Sequence, residues 1–458
     1  HFVFLFWSFM LHGNIKLCIF IGVWLLGFGI YKNHNLVHSL KQVLQMQRQT
    51  LLIIGYVWPE PNSTAAGSRM MHLIHFFIQE GYQITFASTA SETEFTFDVA
   101  TLGLKKAQIQ LNHSSFDDFV TELDPQVVLF DRFMTEEQFG WRVAQHAPKA
   151  LRILDTEDLH SIRFTREATF TAKQPFTKKA WLTNDMTKRE IASIYRSDLS
   201  LIISSYEMEL LQKVLKIDKQ LLLHLPFMLA NIKEEKTKQW LPFEERTNFI
   251  CIGSGKHAPN NDAVLWLTSD IWPLIRKQMP QAKLQVYGSY LPKGIEQLHR
   301  PKDGFYVMGR AEDSAVVMGR AKVSLAPLRF GAGIKGKLVE SMLCGTPNIT
   351  TGIGSEGMCG QLHWNGKIAN TPQAFADAAV ALYQDKTAWE EAQQNGITII
   401  NQWYDKDILV HELSSRIKDM LYNLEHYRGQ NFTGALLAHH TLASTKYMAK
   451  WIEAKNRV

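Results

Sequence analysis

Cysteine is scarce: Cys18, Cys251, Cys344 and Cys359 are the only four in 458 residues. None are spaced as CxxC or as zinc ligands, so neither a disulfide framework nor a zinc site is expected. They read as reduced thiols of a cytosolic compartment. There is no HExxH and no Ser-His-Asp order. His72 and His75 lie three apart on a helical stretch with no third ligand in view, so they read as ordinary helix residues and no metal is expected. An excess of one charge is also lacking. The net +5 is too small and too dispersed for a nucleic-acid partner, though it favours anionic ligands or a lipid surface. Charged residues make up 20% and hydrophobic ones 46%, which excludes a disordered chain and allows two or three domains.

A long apolar run is missing too. Residues 17–30, flanked by Lys16 and Lys32, fall short of the roughly 20 apolar residues a membrane span needs. No small-residue cleavage site follows. Residues 1–45 therefore carry three readings: an extension outside the fold, a membrane anchor, or a structured cap. Met46 stands just ahead of the first strand and is a natural start for the globular body.

What is present is an alternation of strand and helix from residue 50 onward, the pattern of parallel α/β domains. Residues 51–57 form a continuous apolar run, as a strand buried on both faces requires. A helix over 68–79 follows, then strands at 83–88, 127–131, 151–155, 199–205 and 221–226. The charged stretch 231–246, with Pro242, suits a linker. A second half opens with a strand at 248–253. Asp262 is placed to cap the next helix, which Pro273 should kink. Further strands fall at 283–288, 305–309 and 348–351. Asp405 and Asp407 mimic a metal-binding DxD, but they open a helix, where capping explains them better. The resulting division is an extension over 1–45, one Rossmann-like domain over 46–235, a second over 236–412, and a helical tail over 413–458.

Residues 327–347 are the most informative. They read as strand end, glycine-rich loop, short helix, glycine stop and Pro347. Gly331 and Gly333 permit a tight turn and close approach of a ligand. The helix that follows aims free N–H groups at that loop, which makes an anion site. Lys335 and Lys337 oppose the helix dipole there, and a bound pyrophosphate would explain them. Glu340 lies further along, at a reach suited to a ribose diol. An ordinary βα turn with a basic surface is the bland alternative.

This segment resembles the nucleotide-sugar motif of the retaining GT-B glycosyltransferases of family 4, the glycosyl transferases group 1. The resemblance extends over most of 50–415. It implies two Rossmann-like domains facing a cleft, with C-terminal helices returning to the first domain. Glu340 matches the family glutamate that contacts the ribose. The family's other glutamate, which faces the donor sugar, falls on Ala332. Gly333 and Ile334 match positions whose amides hold the diphosphate. Gly253 and Lys256 lie on the loop after the second half's first strand, where members carry a basic residue for the phosphates. Arg310 lies near the expected base, and Glu356 follows a later strand. Gly67 and Arg69 lie where the first loop meets the first helix; a surface ion pair is the other reading of Arg69. Asp158 and His160 follow a strand end and are acceptor-side candidates, with helix capping as the alternative.

The implied activity is transfer of a sugar from a nucleotide diphosphate sugar to an acceptor hydroxyl. Lys256, Lys337 and the loop amides would stabilise the leaving diphosphate without a metal, Lys335 helping. The nucleotide sugar is a co-substrate, and no cofactor is expected. The acceptor would be a glycan, a lipid-linked group or a protein, in cell-surface glycan or glycoconjugate synthesis, with peripheral membrane contact. Two other readings stand beside this one. A nucleotide-sugar epimerase would use Asp158 and His160. A non-catalytic sugar-nucleotide binding subunit would fit the missing acid at Ala332.

Overall fold

The structure is a computed structural model and describes residues 49–456. What was expected of residues 1–45 lies outside the described residues. Seven strands form the first sheet: β1 (Thr50–Gly55), β2 (Gln83–Ser88), β3 (Lys105–Gln108), β4 (Val127–Asp131), β5 (Leu151–Asp155), β6 (Leu199–Ile202) and β7 (Leu222–His224). Their order is β3-β2-β1-β4-β5-β6-β7, all parallel. Helices cover both faces, so Leu51 to Ile54 in the central strand are fully buried. The second sheet holds β8 (Thr247–Ile252), β9 (Leu284–Tyr287), β10 (Phe305–Gly309), β11 (Ala321–Ala326), β12 (Asn348–Thr350) and β13 (Gly366–Ile368). It runs β10-β9-β8-β11-β12-β13, again all parallel. In each sheet the order reverses beside the first strand, between β1 and β4 and between β8 and β11. The crevice beyond such a switch point is where open parallel sheets take ligands.

The chain passes between sheets through a stretch that includes the short helix Glu234–Thr237. β3 and β13 had no signal in the sequence. β3 has the sequence Lys-Lys-Ala-Gln and, among the described residues, is an edge strand that pairs with β2 alone. Two expectations about the next helix need correction or refinement. Asp262 does not cap it: the helix Ala258–Trp266 starts earlier, with Pro259 in its first turn, and Asp262 pairs instead with Arg329 at 2.5 Å. The break at Pro273 takes the form of a π-turn, Leu267–Ile271, just before the helix Trp272–Gln278. Proline has no N–H for the carbonyl one turn back, and the widened turn absorbs the defect.

After the helices Pro372–Gln384 and Lys386–Trp403, the chain crosses back to the first sheet. The returning helix, Lys406–Tyr422, begins ahead of residue 413. Asp405 caps it, accepting from the amides of Asp407 and Ile408. Its Leu409, Leu413, Ile417 and Met420 join the core on one face of the first sheet. Arg428 then pairs with Asp198 at 2.7 Å. The last helix, Phe432–Asn456, lies against the helices Arg132–His146 and Asp185–Arg196. No helix among the described residues is long and apolar enough to cross a membrane.

Candidate functional site

The glycine-rich loop leaves β11 and turns at Gly331 (φ 145°) and Gly333 (φ 64°). Both values lie where a side chain is strained. Space is short as well: a Cβ on Gly333 would lie 2.7 Å from the Cβ of Asp158 in the first domain. The helix Gly336–Leu343 follows, and Lys335 at its N-cap makes no side-chain cap. A Cβ on Gly336 would sit 2.7 Å from the Cβ of Ala65, the first residue of the helix Ala65–Gln79. Two helix N-termini, one from each sheet, therefore meet at the crevice. Together they concentrate positive dipole ends and N–H groups at one place.

The loop is held from both sides. Glu207 of the first domain accepts from the Gly333 amide at 2.9 Å and from the Leu159 amide at 3.1 Å. Burial, with Asp158 nearby, pushes its carboxyl well above the usual range. Arg166 donates to the Gly331 carbonyl at 2.8 Å and grips Glu356 through two bonds of 2.8 and 2.9 Å. Glu356 is thus an interdomain ion-pair partner. Lys335 does not reach into open solvent: it is buried, and its Nζ folds back on the Gly333 carbonyl at 2.7 Å. Burial lowers its pKa. The Ile334 amide has no acceptor among the described residues, while its side chain packs in the core near Phe227 and Met342.

Lys337 is half-buried and donates to Asn260 Oδ1 at 2.5 Å. A Cβ on Gly253 would fall 2.7 Å from its Nζ, so the loop after β8 and the helix after β11 converge on this ammonium. Burial lowers its pKa as well. Glu340 is half-buried and accepts from Ser314 Oγ rather than pairing with Lys337. Burial raises its pKa. Lys256 stays exposed at the rim, its Nζ 3.5 Å above the Tyr290 ring. Arg310 stacks over Phe95 at 4.6 Å, and Phe95 meets Tyr290 edge-on at 5.3 Å. A cation–aromatic seam thus joins a loop of the first domain to the rim of the second.

Two first-domain expectations are corrected. Arg69 is no acceptor contact and no surface pair. It is 2% exposed and bonds Asp155 through Nε and Nη2 (2.7–3.1 Å) and the Leu225 carbonyl at 2.7 Å. With Nε, Nη1 and Nη2 all bonded to buried groups and the side chain buried, this guanidinium is closed off from a ligand in the crevice. Gly67 offers no amide either, since Thr64 Oγ1 caps it at 3.0 Å. It is glycine because a Cβ would lie 2.5 Å from the Glu60 backbone. Asp158 and His160 do come together, with Nδ1 3.0 Å from Oδ1. Burial opposes charge on Asp158, yet Arg163 and His160 hold its carboxyl well below the usual range. Beside it, Arg132 (φ 71°) and Glu157 (φ 62°) follow the ends of β4 and β5 in the left-handed region. Such strain gathers at functional sites. Glu207, Arg166, Arg132, Phe95 and Tyr290 were not found from sequence. Each comes from a different loop or helix, and no spacing links them. The start of a helix just past β6, where Glu207 sits, was the one available hint.

Residues 246–385, the body of the second domain, match the family described as Glycosyl transferases group 1. Among curated proteins, no sequence match was found. Solved structures do match. Sucrose-phosphate synthase from Thermosynechococcus elongatus superposes with a TM-score of 0.62 at 14% identity, covering 82% of this chain and all of its own. A glycosyltransferase from Rickettsia africae gives 0.58 at 11% identity, covering 82% of this chain and all of its own. Anabaena HepE in complex with UDP-glucose gives 0.55 at 11%, covering 81% of this chain and 99% of its own. The two facing parallel sheets with returning C-terminal helices are the GT-B fold of glycosyltransferases. The second of those sheets carries the group 1 signature.

Proposed function

We propose that this chain is a glycosyltransferase that moves a sugar from a nucleotide diphosphate sugar to an acceptor hydroxyl. The observation that carries the reading is the glycine-rich loop and its helix. They set the Ile334 amide, an uncapped N-terminus and the half-buried Lys337 against the start of the helix Ala65–Gln79. Leaving-group charge in transfer develops on the diphosphate, and preorganised donors at that point lower the barrier. In this reading Ile334 N–H and Lys337 meet the diphosphate, and Gly333 N–H joins them once Glu207 gives up its bond. Glu340 takes the ribose in place of Ser314. Lys256 and Arg310 close over the nucleotide from the rim. Asp158 and His160, with Arg132 and Glu157 beside them, face the acceptor. The residues provide the charge stabilisation without a metal.

HepE, matched in fold, was solved with UDP and with UDP-glucose, so UDP is the first nucleotide to try. We place the chain on the cytoplasmic side, in cell-surface glycan or glycoconjugate synthesis, with peripheral membrane contact. Calorimetry with UDP, followed by UDP release from UDP-sugars with and without a panel of sugar acceptors, tests the reading. Binding with acceptor-dependent UDP release supports it. Absence of binding to any nucleoside diphosphate overturns it. Binding without release across the panel would favour the sugar-nucleotide binding subunit, which Ala332 continues to motivate.

A further inference from the structure

The helix Phe432–Asn456 has two unlike apolar faces. The inner face is built of small residues. Gly434 lies where a Cβ would come 2.1 Å from the Tyr195 carbonyl, and Ala449 packs on Trp141. The outer face carries bulky ones: Phe432 is 76% exposed, Tyr447 68%, Trp451 59% and Met448 58%, with Leu436 between them. Tyr447, Met448 and Trp451 lie within about one turn of one another toward the C-terminal end of the helix, and Phe432 and Leu436 form a separate pair one turn apart at its start. A helix that only covered the body would present polar groups outward. The cluster of large apolar side chains at the C-terminal end of the helix, Tyr447, Met448 and Trp451, is left in water and marks a contact surface.

Charge identifies the occupant. Within this helix Lys446, Lys450 and Lys455 face a single acid, Glu453. Glu453 is turned to the body, where it accepts from the Ser114 amide and hydroxyl at 3.2 and 2.7 Å. Lys450 and Lys455 stay exposed and border the aromatic strip. A second copy of the chain would set one lysine-bordered face against another. An anionic lipid surface satisfies both features: Trp and Tyr rings sit at the headgroup level, and lysines meet the lipid phosphates. We propose that the outer face of Phe432–Asn456 is a docking surface for an anionic membrane, on which the helix lies flat. The inference deepens the peripheral contact proposed above and rests on it, but it does not depend on glycosyl transfer.

Two measurements on the full chain test it. The first is co-sedimentation with phosphatidylcholine vesicles, with and without about 30% phosphatidylglycerol, at about 0.1 M salt. The variant carries Tyr447→Ser, Met448→Ser and Trp451→Ser, all exposed, so folding should survive. UDP affinity and melting temperature, measured in parallel, check that it has. Binding to anionic vesicles should fall by at least about tenfold in this variant, and likewise in Lys450→Glu/Lys455→Glu. The second is hydrogen exchange with and without anionic vesicles, which reads the helix directly whatever else in the chain touches lipid. Peptides from 432–456 should become protected. Unchanged exchange in those peptides overturns the proposal. So does a concentration-dependent dimer, found by light scattering, that the triple variant abolishes. Loss of UDP binding with vesicle binding intact would instead count against the donor site alone.

Discussion

Lys337 offers the sharpest test of the donor site. Its ammonium is half-buried, burial lowers its pKa, and Asn260 Oδ1 is the hydrogen-bond partner found for it. A charge in that position, with a neutral amide for company, costs desolvation that the protein does not fully offset. A diphosphate would supply the missing counter-charge. Removing the lysine should therefore cost affinity and not stability. Charge-assisted hydrogen bonds contribute about 1.5–3 kcal/mol. Lys337→Met, which keeps the packing of the stem, should weaken UDP binding by about tenfold to somewhat over a hundredfold. Its unfolding free energy should stay within about 0.5 kcal/mol of the parent or rise slightly. Calorimetry with UDP and urea denaturation read the two quantities. If Lys337 were only a strut between helix and loop, stability would fall and UDP affinity would hold. That pattern, or no change in either, would refute the reasoning.

Arg69→Met should destabilise the fold by about 3–5 kcal/mol, because it strands the fully buried Asp155 without a partner; denaturant midpoints read this. Gly333→Ala should weaken UDP binding at least about tenfold while the fold persists, since its Cβ meets Asp158 and its φ of 64° is strained, a local cost of about 1–2 kcal/mol. A wild-type affinity in calorimetry would contradict this. Burial lowers His72 and His224 each to about 4, so both fold as neutral rings. The unfolded chain takes up their protons first, so stability is full above about 6.5 and is lost as pH falls toward 4. Each ring contributes up to about 3 kcal/mol. Urea midpoints at pH 7.5 and 5 should show the drop, and His72→Gln should reduce it.

The sheets were legible because a strand buried on both faces must be largely a continuous apolar run, as the cores of β1, β4 and β8 are. β3 and β13 were invisible because edge strands need no such run. The glycine-rich loop was legible because glycine is favoured at Gly331 and Gly333, where φ is positive and, at Gly333, a Cβ would also meet Asp158. The partners of that loop were not. Glu207 and Arg166 lie more than a hundred residues upstream in the other domain, and their roles follow from how the sheets face one another. Arg69 misled for a related reason. A charged residue at the start of a helix looks like a surface group, and its burial depends on where β5 and the segment after β7 bring Asp155 and Leu225.

The placement of Glu207 bears on why the loop alone does not define the site. The carboxylate sits on an amide that the loop would otherwise present to an anion, and Arg166 holds the neighbouring carbonyl. Both grips come from the first domain. A ligand that takes the Gly333 amide must therefore displace a first-domain group from the second-domain loop. Burial favours the neutral form of Glu207, and a neutral acid is the weaker acceptor for that amide. The contact is thus a replaceable one. Arg166 differs: its bidentate grip on Glu356 is charge-assisted on both sides and does not involve the Gly333 amide. In the proposed reading the second domain supplies the backbone donors for the diphosphate, and the first supplies both the carboxyl that occupies one of them and a clamp on the same loop.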